Sequence, residues 1–153
     1  MKLTTLLPAS LLLFLLACTS PTATPLEVSY LNPPSAQGKN LPYSEVVKVG
    51  QTLYLSGKIG KKAGENTVVE GGIQAETKQV MDNIKEVLQR HGADMDDIVK
   101  VTVFLADIGE WAAMNEVYTT YFPTHRPARS AVGVNGLARN AKVEIECIAI
   151  LKK

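Results

Sequence analysis

The chain of 153 residues is poor in cysteine, histidine and aromatic residues, and it carries almost no net charge. Its two cysteines, Cys18 and Cys147, are too few for a disulfide framework. Its two histidines, His91 and His125, belong to no cluster with metal-ligand spacing, so no metal site is expected. Neither lies in a recognisable nucleophile context, and a Ser-His-Asp arrangement is not suggested. The formal net charge of +1 leaves no basic patch for a nucleic-acid partner. There is no Gly-x-x-x-x-Gly-Lys-Ser/Thr loop and no Gly-x-Gly-x-x-Gly after a strand, so the common phosphate-cradling loops are missing. No apolar run reaches the ~20 residues that a membrane-spanning helix needs.

The N-terminus is nevertheless distinctive. Lys2 supplies a minimal positive region, Leu6 to Leu16 is mostly apolar, and Leu15-Leu16-Ala17-Cys18 follows. This resembles the bacterial lipobox, in which the cysteine is lipidated and becomes the first mature residue. Residues 1–17 are then a signal peptide, and Cys18 is the lipid attachment and the only link to a membrane. The protein would be an extracytoplasmic lipoprotein, on the periplasmic side in a Gram-negative cell. An ordinary signal peptide cut nearby is the alternative. Residues 18–40 read as a tether, with Pro21, Pro25, Pro33 and Pro34 among small polar residues. Such a segment buries too little surface to offset its ordering entropy. Leu26 to Leu31 alternates, which keeps a short strand open as an alternative.

The folded domain is expected over residues 41–153, a length that can bury a core without disulfides. Ser44 to Val49 and Thr52 to Gly57 flank Gly50-Gln51 and predict a β-hairpin. Ile73 to His91 carries Thr77, Val80, Met81, Ile84, Val87 and Leu88 at spacings of three and four, which predicts a helix. Glu76, Lys78, Asp82, Lys85, Glu86 and Arg90 mostly take its other side, and Gly92 stands where a C′ glycine belongs. Ile98 to Ala106 suits a central strand. Asp107 with Glu110 resembles a capping box for a second helix, whose stripe is Trp111, Met114, Val117, Tyr118, Tyr121 and Phe122. Arg129 to Val134 and Lys142 to Leu151 complete a β-β-α-β-α-β-β order. Two amphipathic helices can cover one face of such a sheet, and the other face then needs water, ligand or another subunit.

Chemistry is concentrated near the C-terminus. In the last strand Glu144 and Glu146 share one face, opposite Val143, Ile145 and Cys147. Two carboxylates in so apolar a frame are costly unless they meet a cation, ligand or water. Arg129, in Pro127-Ala128-Arg129-Ser130, is a cation whose planar fork suits carboxylates. A structural ion pair and a small-molecule site are equally compatible with these three residues. Tyr43 and Ser56-Gly57 are further candidates, the glycine because it allows close approach of backbone to a ligand. Cys147 reads as a small buried apolar side chain.

Several segments carry a family resemblance in order along the chain. They are Leu41-Pro42-Tyr43-Ser44, Leu55-Ser56-Gly57-Lys58-Ile59, Asp82-Asn83-Ile84 and Val99-Lys100-Val101-Thr102-Val103-Phe104, then Pro127-Ala128-Arg129-Ser130 and Val143-Glu144-Ile145-Glu146. Together they resemble the RidA (YjgF) family of enamine and imine deaminases. The resemblance implies an α+β, chorismate-mutase-like fold with helices on one face of a mixed sheet, and a homotrimer with sites between subunits. It implies hydrolysis of reactive 2-imino acids to 2-oxo acids and ammonia, with no cofactor. By position, Arg129 matches the arginine that binds the substrate carboxylate, and Glu144 the glutamate that positions water. Tyr43, Ser56 and Gly57 match the pocket lining, and Glu146 a second acidic position without an assigned role.

This chain departs from the family pattern twice. Ala131 stands where many members have cysteine, and Leu137-Ala138 where many have Leu-Pro. The competing expectations are a non-enzymatic module of the same fold that binds a carboxylate ligand, and a ribonuclease. The near-neutral charge and the lack of a His pair argue against the ribonuclease.

Overall fold

The computed structural model describes residues 25–152, so the expected signal peptide, Cys18 and the first part of the expected tether lie outside the described residues. Strands β1 (Val28–Leu31), β2 (Val46–Val49) and β3 (Thr52–Ile59) come first, followed by helix α1 (Gly72–Arg90). Strand β4 (Ile98–Leu105), helix α2 (Trp111–Tyr118) and strands β5 (Ala128–Gly133) and β6 (Val143–Ile150) complete the chain. The sheet order is β1-β2-β3-β6-β4-β5, so the last strand is inserted in the middle. Only the β4–β5 pair is parallel; the other neighbours run antiparallel. This is the expected α+β, chorismate-mutase-like architecture, a mixed six-stranded sheet with two helices packed on it.

The local signals act as anticipated at most element ends. Gly50, at φ +58°, turns β2 into β3 with Val49 opposite Thr52. Gly92, at φ +77°, ends α1, and the N–H groups of Gly92 and Ala93 donate to the carbonyls of Gln89 and Leu88. The helix-covered face of the sheet holds Leu53, Leu55, Val101, Val103, Val143, Ile145 and Cys147. They pack against Val80, Met81, Ile84 and Leu88 of α1 and Met114 and Tyr118 of α2. Cys147 is buried, and burial pushes its thiol up to about 12, which leaves it inert as a nucleophile.

Three elements differ from the sequence reading. First, Val28–Leu31 is a strand, paired in register with Val49–Val46, so the sheet begins well before Leu41. The Asn32 side chain extends the junction by accepting from the Glu45 N–H at 2.8 Å. The flanking prolines favoured the tether, whereas the alternation of Leu26 to Leu31 had left this strand open, and the alternative is what forms. What decides is that the outer edge of β2 needs partners for its backbone groups. Second, Asp107 caps a 3-10 turn, Ile108–Glu110, accepting from the Gly109 N–H at 2.8 Å, while Glu110 pairs with Lys142 at 2.9 Å. Only half of the expected capping box forms. Third, Glu76 is buried at 3% exposure, and its Oε2 accepts from the Lys142 N–H at 2.8 Å. This carboxylate ties α1 to the beginning of β6.

Among the described residues no helix lies on the opposite face of the sheet. Large hydrophobics are exposed on that face: Tyr30 and Tyr54 in register with Val47 and Ile148, Ile150 opposite Thr52, and Val132 opposite Phe104. A strip of this kind normally marks an interaction surface.

The crossing of β3 and α1 leaves no room at Gly60. A Cβ there would lie 2.7 Å from the Cα and 2.9 Å from the carbonyl oxygen of Glu76, which are backbone atoms that cannot turn aside. Gly60→Ala is expected to lower stability by about 1–3 kcal/mol through overpacking. A lower urea midpoint at unchanged slope is the readout.

Candidate functional site

The site is built around an irregularity in β3. Leu55 pairs with Cys147 and Lys58 with Ile145, so three steps on β3 face two on β6. The extra residue is a bulge at Ser56-Gly57. It turns Lys58 towards the helix side, where its Nζ lies 2.6 Å from Glu45 Oε1. Arg90, the last residue of α1, reaches Glu45 Oε2 at 2.8 Å. Lys58 and Arg90 hold the Glu45 carboxyl below its usual range against the opposing effect of its burial. This triad fixes the bulge to the helix. Asn83 strengthens the same junction by donating to the carbonyls of Ile59 and Lys61 at 3.1 and 2.9 Å.

On the other side of the bulge stands Glu144. A Cβ on Gly57 would fall 2.0 Å from Glu144 Oε1, so the carboxylate occupies the space where any other residue would carry its side chain. This is the close approach that Gly57 permits. Ile59 and Phe104 are the register partners of Glu144 on the two flanking strands. Burial first, and then the charge of Glu146, raise the Glu144 carboxyl above its ordinary value. Ser56 donates its hydroxyl proton to the Ser44 carbonyl at 2.7 Å. Tyr43, adjacent to Ser44, is 58% exposed. Tyr43, Ser56, Gly57 and Glu144 line one cleft of about 1060 Å³. Four of the candidate residues are thus brought together.

Arg129 is not with them. Its register partner is Val101, whose own partner is Cys147, so Arg129 points to the helix-covered face while Glu144 points away from it. The two do not form an ion pair, and β4 separates their strands. Arg129 Nη1 donates to Asn115 Oδ1 of α2 at 2.6 Å. Its guanidinium carbon lies 4.6 Å from the Tyr118 ring centre and 5.8 Å from that of Trp111. Two aromatic rings and an amide hold the planar group in one orientation. Burial pushes the Tyr118 phenol up to about 12, so it is neutral beside the arginine.

Sequence reasoning missed several of these neighbours. Trp111 and Tyr118 were expected in the core stripe of α2, yet Trp111 is 46% exposed above Arg129. Asn115 carried no periodic signal. Glu45 and Arg90 lie far apart in sequence, and only the fold joins them. Glu146 is exposed, on the same face as Glu144. His91 caps α1, and its pKa is lowered mainly by burial; His125 lies in an exposed loop.

Comparison with known proteins adds to this geometry. The family profile described as Endoribonuclease L-PSP matches residues 34–151. A mouse protein named 2-iminobutanoate/2-iminopropanoate deaminase is 42% identical over 123 residues, covering 80% of this chain and 89% of that protein. Among solved structures, yeast Mmf1 aligns with a TM-score of 0.71 at 39% identity, covering 84% of this chain and 98% of that one. RidA from the Antarctic bacterium Psychrobacter aligns with a TM-score of 0.70 at 32% identity, covering 84% and 100%.

The surroundings of Glu144 have a measurable consequence. In an NMR-monitored titration its carboxyl is expected to titrate above the ordinary 4.5. Glu146→Gln removes the repelling charge, and the Glu144 midpoint should then move down. An unchanged midpoint would mean that burial alone sets it.

Proposed function

Since the chain belongs to the RidA, or endoribonuclease L-PSP, family, we propose that it hydrolyses 2-imino acids, the tautomers of enamines, to 2-oxo acids and ammonia. The observation that carries this reading is the seat of Glu144, a carboxylate of raised pKa set over the bare backbone of Gly57 in a cleft with Tyr43 and Ser56. An imine carbon is already electrophilic, so the protein needs to supply only a positioned water and a grip on the substrate. The Glu144 carboxylate takes a proton from water as the water oxygen bonds to the imine carbon. That proton passes to the imine nitrogen to give a carbinolamine; Glu144 then takes the hydroxyl proton as the C=O bond forms and delivers it to nitrogen as the C–N bond breaks, releasing ammonia. A carboxyl poised above the usual glutamate range suits both transfers better than an ordinary one.

The substrate carboxylate falls to Arg129, whose fork is pre-oriented by Asn115, Tyr118 and Trp111. Because Arg129 and Glu144 lie on opposite faces of the same sheet, a complete site takes Arg129 from one copy and Glu144 from another. A closed homotrimer meets that requirement, with the uncovered apolar face of each sheet packed on its neighbour. Lipid on Cys18 would tether this assembly to a membrane outside the cytoplasm, and three anchors act together.

The direct assay mixes the protein with an amino-acid oxidase that generates 2-iminopropanoate and times imine decay. Faster decay is expected; no acceleration together with tight carboxylate binding would leave a binding module instead. Arg129→Ala should lower kcat/KM by about 100-fold or more with the fold retained, since it removes a charge-assisted grip. Gly57→Ala pushes the Glu144 carboxylate aside, and kcat should fall about 100-fold, the usual cost of misplacing a catalytic group by about 1 Å. As the reaction uses ionised Glu144, activity should fall with acid through its raised pKa, so the acid limb should lie above pH 4.5.

A further inference from the structure

The turn before β6, where this chain departs from the Leu-Pro pattern, has no part in the chemistry described so far. Ala138–Asn140 forms a 3-10 turn in which Arg139 and Asn140 have φ of +60° and +55°. Among the described residues these are the two non-glycine residues in the left-handed region. For Arg139 this costs roughly 1–2 kcal/mol relative to ordinary backbone, whereas asparagine adopts it more readily. Such residues persist only where their surroundings hold them, and they gather at functional sites. Here Arg139 supplies part of the hold. Its Nη1 donates to the carbonyl of Asn66, on the loop that follows β3. The bond draws the side chain into the wall of the cleft lined by Glu144, Tyr43 and Ser56.

The charges around the cleft are unevenly satisfied. Lys58 and Arg90 are committed to Glu45. Lys61 donates to the neutral carbonyls of Lys62 and Glu65, and Lys39 and Lys62 also line the cleft, but each of these is an ammonium without the planar fork of an arginine. The partner of Arg139 is a neutral carbonyl, which takes one of its five N–H donors and none of its charge. The remaining fork is what a carboxylate would accept in bidentate fashion.

We infer that Arg139 binds a second carboxylate, and that the cleft selects 2-imino acids whose side chain ends in a carboxylate, the imines of acidic amino acids. The inference rests on the deaminase reading, in which Arg129 of a neighbouring copy holds the first carboxylate. The overall step is ⁻OOC–CH2–C(=NH)–COO⁻ + H2O → ⁻OOC–CH2–CO–COO⁻ + NH3, or its longer-chain counterpart. Both carboxylates survive the reaction, so both arginines stay matched from substrate to product. A neutral imino acid offers Arg139 nothing. The reaction that supplies such a substrate is the two-electron oxidation of an acidic amino acid at its α-carbon.

The test compares imines of aspartate and alanine, generated by amino-acid oxidases, on the wild-type protein, Arg139→Ala and Arg139→Lys. Wild type should favour the aspartate imine in kcat/KM. That preference should fall about tenfold or more in Arg139→Ala, with Arg139→Lys between, as expected for loss of a charge-assisted pair. Calorimetric titration with succinate and propionate makes the same comparison without turnover. Succinate should bind about tenfold tighter than propionate, and Arg139→Ala should erase the margin. Acceleration of alanine imine decay with no Arg139-dependent preference overturns the inference and leaves the deaminase reading standing. Failure to accelerate either imine, with the succinate margin intact, overturns the deaminase reading and supports the selectivity of the cleft.

Discussion

Side chains of a β-strand alternate between two faces, and in β6 that alternation has to serve two purposes at once. The strand lies in the middle of the sheet, between β3 and β4. Val143, Ile145, Cys147 and Ala149 supply the floor on which both helices pack. Glu144 and Glu146 consequently project from the other face, where no helix of the described residues covers them. A register slip of one residue would bury both carboxylates in the core and expose the floor. The core and the site are therefore specified by the same eight residues.

The other devices in the fold keep that arrangement in place. Glu76 clamps the beginning of β6 through the Lys142 N–H. The Glu45 triad and Asn83 hold the bulge of β3 against α1, so that Gly57 opens under Glu144. These are buried or half-buried polar contacts whose partners come from distant parts of the chain. They add little to net stability as isolated pairs, but losing one partner would strand the other. Their role is to hold a fixed geometry around one carboxylate. Arg129 is fixed independently, at the sheet edge under α2, by an amide and two aromatic rings.

Much of this was legible from residue order. The period-two pattern of β6 separated its two faces correctly, and the three-four spacing of α1 identified its buried stripe. Ser56-Gly57 was recognisable as a place where backbone lies bare. What the residues could not disclose was which distant groups meet. Val28–Leu31 looked like part of a proline-rich tether because its pairing partner is remote in sequence. Glu76 looked like a solvent-facing helix residue because its acceptor role is set by the start of a strand 66 residues away. Arg129 and Glu144 looked like neighbours because they are near in sequence, and strand order put them on opposite faces. Asn115 and Arg139 had no pattern to betray them; each acquires meaning from one hydrogen bond.

The central claim is that one copy provides Arg129 and another Glu144. It is tested most directly by mixing Arg129→Ala and Glu144→Gln proteins, each inactive alone, and letting their subunits exchange. In a closed ring of three, every mixed assembly has one interface that pairs an intact Arg129 with an intact Glu144. Equal mixing should then restore about a quarter of wild-type imine hydrolysis. If exchange is complete and no activity returns, the two residues serve one site within a single copy, and the account is contradicted.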